Sequence, residues 1–275
     1  MRLIIFKPYR SYFALERSLT DYFAITGETA RRVYNRHILR FERGGRWFFI
    51  KRHSGVGWRE IIKNVMRLRR PVVDALPEWR AIQRLHELGV ATLEPVGCGV
   101  EGINPAQRRS FLITADLGAT VSLEQLTQGW RQQPPGVRQK RALIRRLAAI
   151  AKRLHENGVN HRDFYLCHFL LGHPSGADGS DWERLPLYVI DLHRAQIRRR
   201  TPERWIVKDV GSLYFSALDC GLSRRDLLCF IQAYGGKPLR AALGDRAVFW
   251  RKVQRRAVRL YRREWRKEPL LVLGH

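Results

Sequence analysis

Short apolar tracts punctuate the front of the chain. Ile38-Leu39-Arg40-Phe41 and Trp47-Phe48-Phe49-Ile50 flank Gly44-Gly45, which predicts two strands joined by a glycine turn. From Trp58 to Arg70 the period changes. Trp58, Ile61, Ile62, Val65 and Met66 share one face of a helix, basic residues take the other, and Pro71 stops it. A second helix runs from about Pro77 to Leu88, with Pro77 suited to its first turn and Gly89 to its end. Phe111-Leu112-Ile113-Thr114 reads as a buried strand.

The back of the chain has mainly helical spacing. Leu143, Leu147, Ile150, Ala151 and Leu154 form one apolar face, and Gly158 closes that helix. Two apolar runs follow, Cys167 to Leu171 and Leu187 to Ile190, separated by a Gly-, Ser-, Asp- and Pro-rich stretch, 172–186, that reads as a surface loop. Further helices are predicted from about Lys208 to Leu218, from Arg224 to Tyr234 and from Asp245 to Lys267. Ser223 with Asp226 forms a capping-box signal for the second of these. The pattern is α+β, with a strand-rich lobe over residues 1–116 and a helical lobe over 117–275. No Gly/Ser linker divides the lobes, so they are expected to act as one bilobal domain.

Charge narrows the partners. The chain has 275 residues, with 51 Lys and Arg against 25 Asp and Glu, a formal charge of +26. Such a protein suits polyanions: nucleic acid, an anionic membrane, phosphorylated glycolipid or an acidic protein. No helix-turn-helix, RNP or zinc pattern supports nucleic acid. Cys98, Cys167, Cys220 and Cys229 form no CxxC pair and read as the reduced thiols of a cytosolic protein. The apolar part of the N-terminal stretch is too short for a signal peptide, and no apolar run approaches the roughly 18–20 residues that span a bilayer.

The most informative segment is His161-Arg162-Asp163, placed after the long amphipathic helix and before two short strands, the second leading into Asp191. That order is the catalytic layout of a protein kinase. Phosphoryl transfer needs one carboxylate to orient the acceptor hydroxyl and take its proton, and another to hold Mg²⁺ against the phosphates of ATP. Asp163 fits the first role and Asp191 the second, with His161 and Arg162 completing the catalytic triplet. Lys51, ending a predicted strand, suits the phosphates, and Glu78 suits Lys51. Each also has a plainer reading, a solvated strand-end lysine and a first-turn glutamate favoured by the helix dipole. Backbone groups around Ala115, Asp116 and Leu117 are placed to meet adenine.

At these residues the chain resembles the lipopolysaccharide core heptose kinases of Gram-negative bacteria. The likeness is carried by the run from His161 to Leu171, by Ile190-Asp191-Leu192-His193-Arg194-Ala195-Gln196 and by the segment from Lys208 to Ala217. Gly55 to Ile61 and Glu78 to Ile82 share it. The resemblance implies a protein-kinase-like fold and ATP- and Mg²⁺-dependent phosphorylation of the first inner-core heptose of a lipopolysaccharide glycolipid. It also implies work in the cytoplasm, peripheral to the inner membrane. By carry-over, Asp163 is the catalytic aspartate, Asp191 binds metal, and Asp209, opening a helix, anchors the catalytic loop.

Two departures from ordinary protein kinases qualify the picture. His168 replaces the metal-binding asparagine; the heptose kinases share it, which makes it a candidate metal ligand or a packed structural histidine. No GxGxxG precedes Lys51, so Arg31, Arg32 or Arg36 is expected to take part of the phosphate clamp. Residues 245–268 hold ten Lys or Arg and three acids. They read either as a packed helix with solvated charges or as a surface for an anionic leaflet, as does the Trp58–Arg70 helix. An acidic carrier protein such as acyl carrier protein also fits so basic a surface. The alternatives are a kinase of another core sugar such as Kdo, and a catalytically inactive kinase-like module that binds an anionic partner.

Overall fold

A computed structural model describes residues 2–33, 35–66, 71–172 and 182–269. Residues 67–70, in the tail of the predicted Trp58–Arg70 helix, and most of the predicted loop between the two apolar runs lie outside the described residues. The chain divides into two compact units. One comprises Met1–His86, Thr92–Leu117 and Leu192–Arg194, the other Glu87–Ala91, Gly118–Asp191 and Ala195–His275.

The first unit is built on an antiparallel sheet. In chain order its elements are β1 (Arg2–Ile5), α1 (Leu19–Ala24), β2 (Glu28–Val33), β3 (Arg36–Arg43), β4 (Arg46–Ser54), α2 (Gly57–Met66), α3 (Leu76–Glu87), β5 (Pro95–Glu101) and β6 (Arg109–Ala115). The strand order is β1-β5-β6-β4-β3-β2. The glycine turn is present, with φ of 58° at Gly44 and 73° at Gly45, a region that other residues rarely enter. Alternation along β4 sends Phe48 and Ile50 into a core shared with Phe13, Tyr22, Phe41 and Phe111, and places Lys51 on the opposite face. Aromatic rings dominate this core. Tyr22 stacks on Phe111 at 4.2 Å and Phe41 on Phe48 at 5.7 Å.

The second unit contains β7 (Thr120–Ser122), α4 (Leu123–Thr127), α5 (Val137–Glu156), β8 (Val159–Asn160), β9 (Phe169–Gly172), β10 (Leu187–Val189), β11 (Gln196–Ile197), α6 (Glu203–Ala217), α7 (Arg224–Gly235), α8 (Leu239–Gly244) and α9 (Ala247–Trp265). The short strands form two small antiparallel ladders, β10-β9-β7 and β11-β8. The capping box of α7 is formed, with the Ser223 side chain accepting from the Asp226 amide and the Asp226 carboxylate accepting from the Ser223 amide. Along α9, Phe249, Val253, Ala257, Leu260 and Tyr261 are buried, while Arg251, Lys252, Arg255 and Arg259 are exposed. The apolar stripe of the C-terminal helix is therefore packed, much of it against α6.

One predicted boundary needs correcting. The helix expected from Lys208 begins at Glu203, after Pro202. Asp209 consequently lies in its second turn and is completely buried, instead of opening the helix.

Candidate active site

Within the first unit, the Lys51 ammonium donates to both carboxylate oxygens of Glu78 at 2.8 Å. Glu78 sits in the first turn of α3 and is only 2% exposed. A carboxylate this buried needs a cation beside it, so the pair fixes the lysine against the helix. Asp116 accepts from Arg40 Nε at 2.7 Å. Its amide donates to the Trp47 carbonyl and the Ala115 amide to the Glu94 carbonyl, both at 3.0 Å. These amides are thus committed to main-chain bonds. Arg31 and Arg32 lie on β2 and Arg36 at the start of β3, around the turn at Asn35.

Two residues after Lys51 lies His53, fully buried, with neither ring nitrogen hydrogen-bonded among the described residues. Burial, reinforced by Arg36, Lys51 and His193, pushes its imidazole down to about 3. The ring is neutral in the folded chain, whereas an unfolded chain protonates it below about pH 6.5. Its contribution to stability is complete above that pH and drains away as pH falls toward 3. Between pH 7 and 4.5, wild type is expected to lose about 2–3 kcal/mol more stability than His53→Leu, measured by urea unfolding at both pH values. Equal losses would contradict the burial of a neutral ring.

In the second unit, α5 ends at Glu156 and the chain turns through Gly158 at φ 78°. A Cβ there would lie 1.7 Å from the Arg198 carbonyl oxygen, so only glycine admits the turn. It delivers the chain through β8 to His161-Arg162-Asp163. The buried Asp209 carboxylate accepts the His161 amide at 2.6 Å and the Arg162 amide at 2.8 Å. That grip holds Arg162 at φ 76°, a conformation costly for a residue with a Cβ. Removing it in Asp209→Ala leaves two buried amides without acceptors. The expected cost is about 3 kcal/mol in urea unfolding, with phosphoryl transfer falling further than stability alone explains.

The two histidines stitch this loop to the Asp191 loop. His161 Nε2 lies 2.9 Å from the Ile190 carbonyl, which only accepts, so Nε2 carries the proton; Nδ1 accepts the Asp163 amide at 3.3 Å. Burial lowers the His161 pKa and agrees with this neutral tautomer. Both ring nitrogens are thereby spent on main-chain bonds, and His161 is 1% exposed. It ties the Asp163 amide to the Ile190 carbonyl. Arg162 is buried too, with its guanidinium 5.2 Å from the Trp205 ring.

His168 lies on the other side of the loop. Its Nδ1 is 2.6 Å from the Asp163 carbonyl and its Nε2 is 3.4 Å from Asp191 Oδ2. Burial opposes charge on this ring, but hydrogen bonds with Cys167 and the Asp163 carbonyl, together with the Asp191 carboxylate, raise its pKa to about 9. Since a carbonyl only accepts, Nδ1 carries a proton and Nε2 faces the Asp191 carboxylate. His168, the candidate metal ligand or packed histidine, thus touches both the Asp163 main chain and the Asp191 carboxylate. The main chain of Asp163 and the carboxylate of Asp191, twenty-eight positions apart, are linked by one imidazole within one unit. Asp191 itself has φ 60°, a second strained residue in the site.

Other participants carry no motif. His155, buried at the end of α5, lies 3.5 Å from Asp209 and hydrogen-bonds the Tyr234 hydroxyl at 2.9 Å. The Ser216 hydroxyl accepts the Leu166 amide at 3.0 Å. The only sequence signal for His155 is a polar residue beside Leu154 at the closing turn of an apolar face.

A sheet with a buried lysine–glutamate pair, and a helical unit whose buried aspartate grips a His-Arg-Asp loop, define the protein-kinase-like fold. The profile of the lipopolysaccharide kinase (Kdo/WaaP) family matches residues 22–234, and the chain belongs to that family. It is 45% identical to the lipopolysaccharide core heptose(I) kinase WaaP of Pseudomonas aeruginosa over 271 residues, 98% of this chain and all of the relative. With the Escherichia coli K12 protein of the same name it shares 44% over 244 residues, 88% of this chain and 91% of the relative. A solved structure, WaaP in complex with acyl carrier protein, superposes with a TM-score of 0.79 at 42% identity, covering 95% of this chain and all of that one.

Proposed function

We infer that this chain is an ATP-dependent kinase that phosphorylates the first heptose of the lipopolysaccharide inner core. The observation that carries the mechanism is the His168 ring, which reaches the Asp163 main-chain carbonyl with Nδ1 and the Asp191 carboxylate with Nε2 and so ties the two aspartate-bearing segments together. Asp163 orients the sugar hydroxyl and receives its proton late, since a hydroxyl proton is held too tightly to leave early. His161 and Asp209 keep the Asp163 backbone in place. Lys51, held by Glu78, meets the phosphates of ATP as a point charge. Adenine would lie along residues 115–117, where the Ala115 and Asp116 amides are already bonded to main-chain carbonyls.

The donor set fits Mg²⁺. Asp191 offers a hard oxygen ligand on a partly exposed side chain. That is what a Mg²⁺ site needs when phosphate oxygens and water complete the shell. Asp191 would hold the ion, which would supply charge neutralisation on the transferring phosphate.

An acidic carrier protein is proposed as a partner, supported by the charge of +26 and by the relative solved with acyl carrier protein. No helix among the described residues is long and apolar enough to cross a membrane, so the proposed place of action is the membrane surface, where a glycolipid substrate lies. The test is transfer of label from γ-labelled ATP to core lipopolysaccharide isolated without its heptose phosphate. Transfer should require Mg²⁺ and disappear in Asp191→Asn. Label transfer undiminished in that variant would overturn the role given to Asp191.

A further inference from the structure

Helix α2 departs from the rule that an amphipathic helix buries its apolar stripe. Trp58, Ile62, Val65 and Met66 fall at i, i+4, i+7 and i+8, one continuous row, yet they are 54, 53, 57 and 79% exposed. Only Ile61, at the edge of the stripe, is buried. Arg59 and Lys63 border the row on the side away from Ile61, and both are exposed. The adjoining loop, tied to the start of α2 by the Gly57 amide on the Ala106 carbonyl at 2.9 Å, carries Ile103 at 95% exposure. Scattered apolar residues on a surface are ordinary; a full helical row of large ones is not.

We propose that α2 lies in the surface of an anionic bilayer and docks the chain there. This deepens the proposed place of action by naming the element responsible. The chemistry selects a bilayer over a protein groove. Trp58 is amphipathic and suits the headgroup boundary, Ile62, Val65 and Met66 reach the acyl region, and the long stems of Arg59 and Lys63 let their charges rise to lipid phosphates. A chain of charge +26 adds a long-range attraction to anionic lipid. Docking by α2 would bring the kinase to a substrate confined to the membrane.

The experiment is co-sedimentation of the full chain with vesicles of phosphatidylethanolamine and phosphatidylglycerol, compared with phosphatidylcholine alone. Wild type should pellet with the anionic vesicles and less so at high salt. Replacing the row together (Trp58→Ser, Ile62→Ser, Val65→Ser, Met66→Ser) should weaken binding at least about tenfold while thermal unfolding is unchanged. Arg59→Glu with Lys63→Glu should remove the preference for anionic lipid. Phosphorylation of a lipid-free core oligosaccharide, assayed in parallel, should be unaffected by the serine variant. That separates this inference from the kinase reading, since either can fail alone. Undiminished pelleting of the serine variant overturns the proposal. So does a wild type that ignores vesicles and sediments as a dimer where the variant is a monomer.

Discussion

Asp163→Asn should lower kcat about 10³-fold while the KM for ATP moves little. The amide keeps the shape of the side chain and one accepting oxygen, so the hydroxyl is still met. What is lost is the negative charge that aligns the hydroxyl and finally holds its proton. The fold should be kept, because Asp209, His161 and His168 hold the loop through main-chain atoms of residues 161–163 and asparagine keeps the size and shape of the side chain. Steady-state kinetics with urea unfolding as a control gives the result. A loss under about tenfold would move the acceptor-side role elsewhere.

Lys51→Met should act on stability and catalysis together. Glu78 is 2% exposed, and deleting its partner strands a buried carboxylate at a cost of about 3–5 kcal/mol. Adding Glu78→Leu removes the stranded charge, and most of the stability should return, since a buried ion pair replaced by apolar groups is often near neutral. Phosphoryl transfer should not return, because the phosphates still lack their cation. This divergence within one double-mutant cycle separates a phosphate-binding lysine from a merely structural pair. If the double variant regains full turnover, Lys51 serves only the fold.

How far the sequence foretells this arrangement depends on whether a signal is local. The glycine turn at 44–45 and the α7 capping box each lie in a few consecutive residues, and each forms as the local chemistry predicts; the His161–Asp163 triplet is equally local as a motif, but its shape is held by the distant Asp209. Glycines obscured β5. Gly97 and Gly99 weaken the strand pattern, yet a Cβ at Gly97 would lie 2.3 Å from Ile5 and one at Gly99 2.3 Å from the Phe111 ring. Tertiary packing, invisible in the segment itself, selected them. The helix at 19–24 also escaped, although Ser18 and Asp21 form a complete capping box; six residues offer too few turns for periodicity to register. Starting α6 at Lys208 overlooked Trp205 and Ile206, and it misplaced Asp209 at a helix end when its buried position is what lets it grip the loop.

The site shows the same division. Residue types at the ends of strands and loops pointed to Lys51, Glu78, Asp163 and Asp191. The tautomer of His161 depends on the Ile190 carbonyl, brought near only by folding, so no pattern in the sequence encodes it. The exposed row on α2 is a subtler case. Its helical period is plain in the sequence, but the same period describes a buried face, and only the folded surroundings distinguish the two.

The position of the transferred phosphate distinguishes a heptose kinase from every alternative. The purified chain should be given ATP, Mg²⁺ and core lipopolysaccharide lacking heptose phosphate, and the product resolved by mass spectrometry with the position assigned by NMR. One phosphate on the first heptose, absent from the Asp163→Asn product, is the predicted result. A phosphate on Kdo, or an unmodified glycolipid from an enzyme that still binds nucleotide, would contradict it.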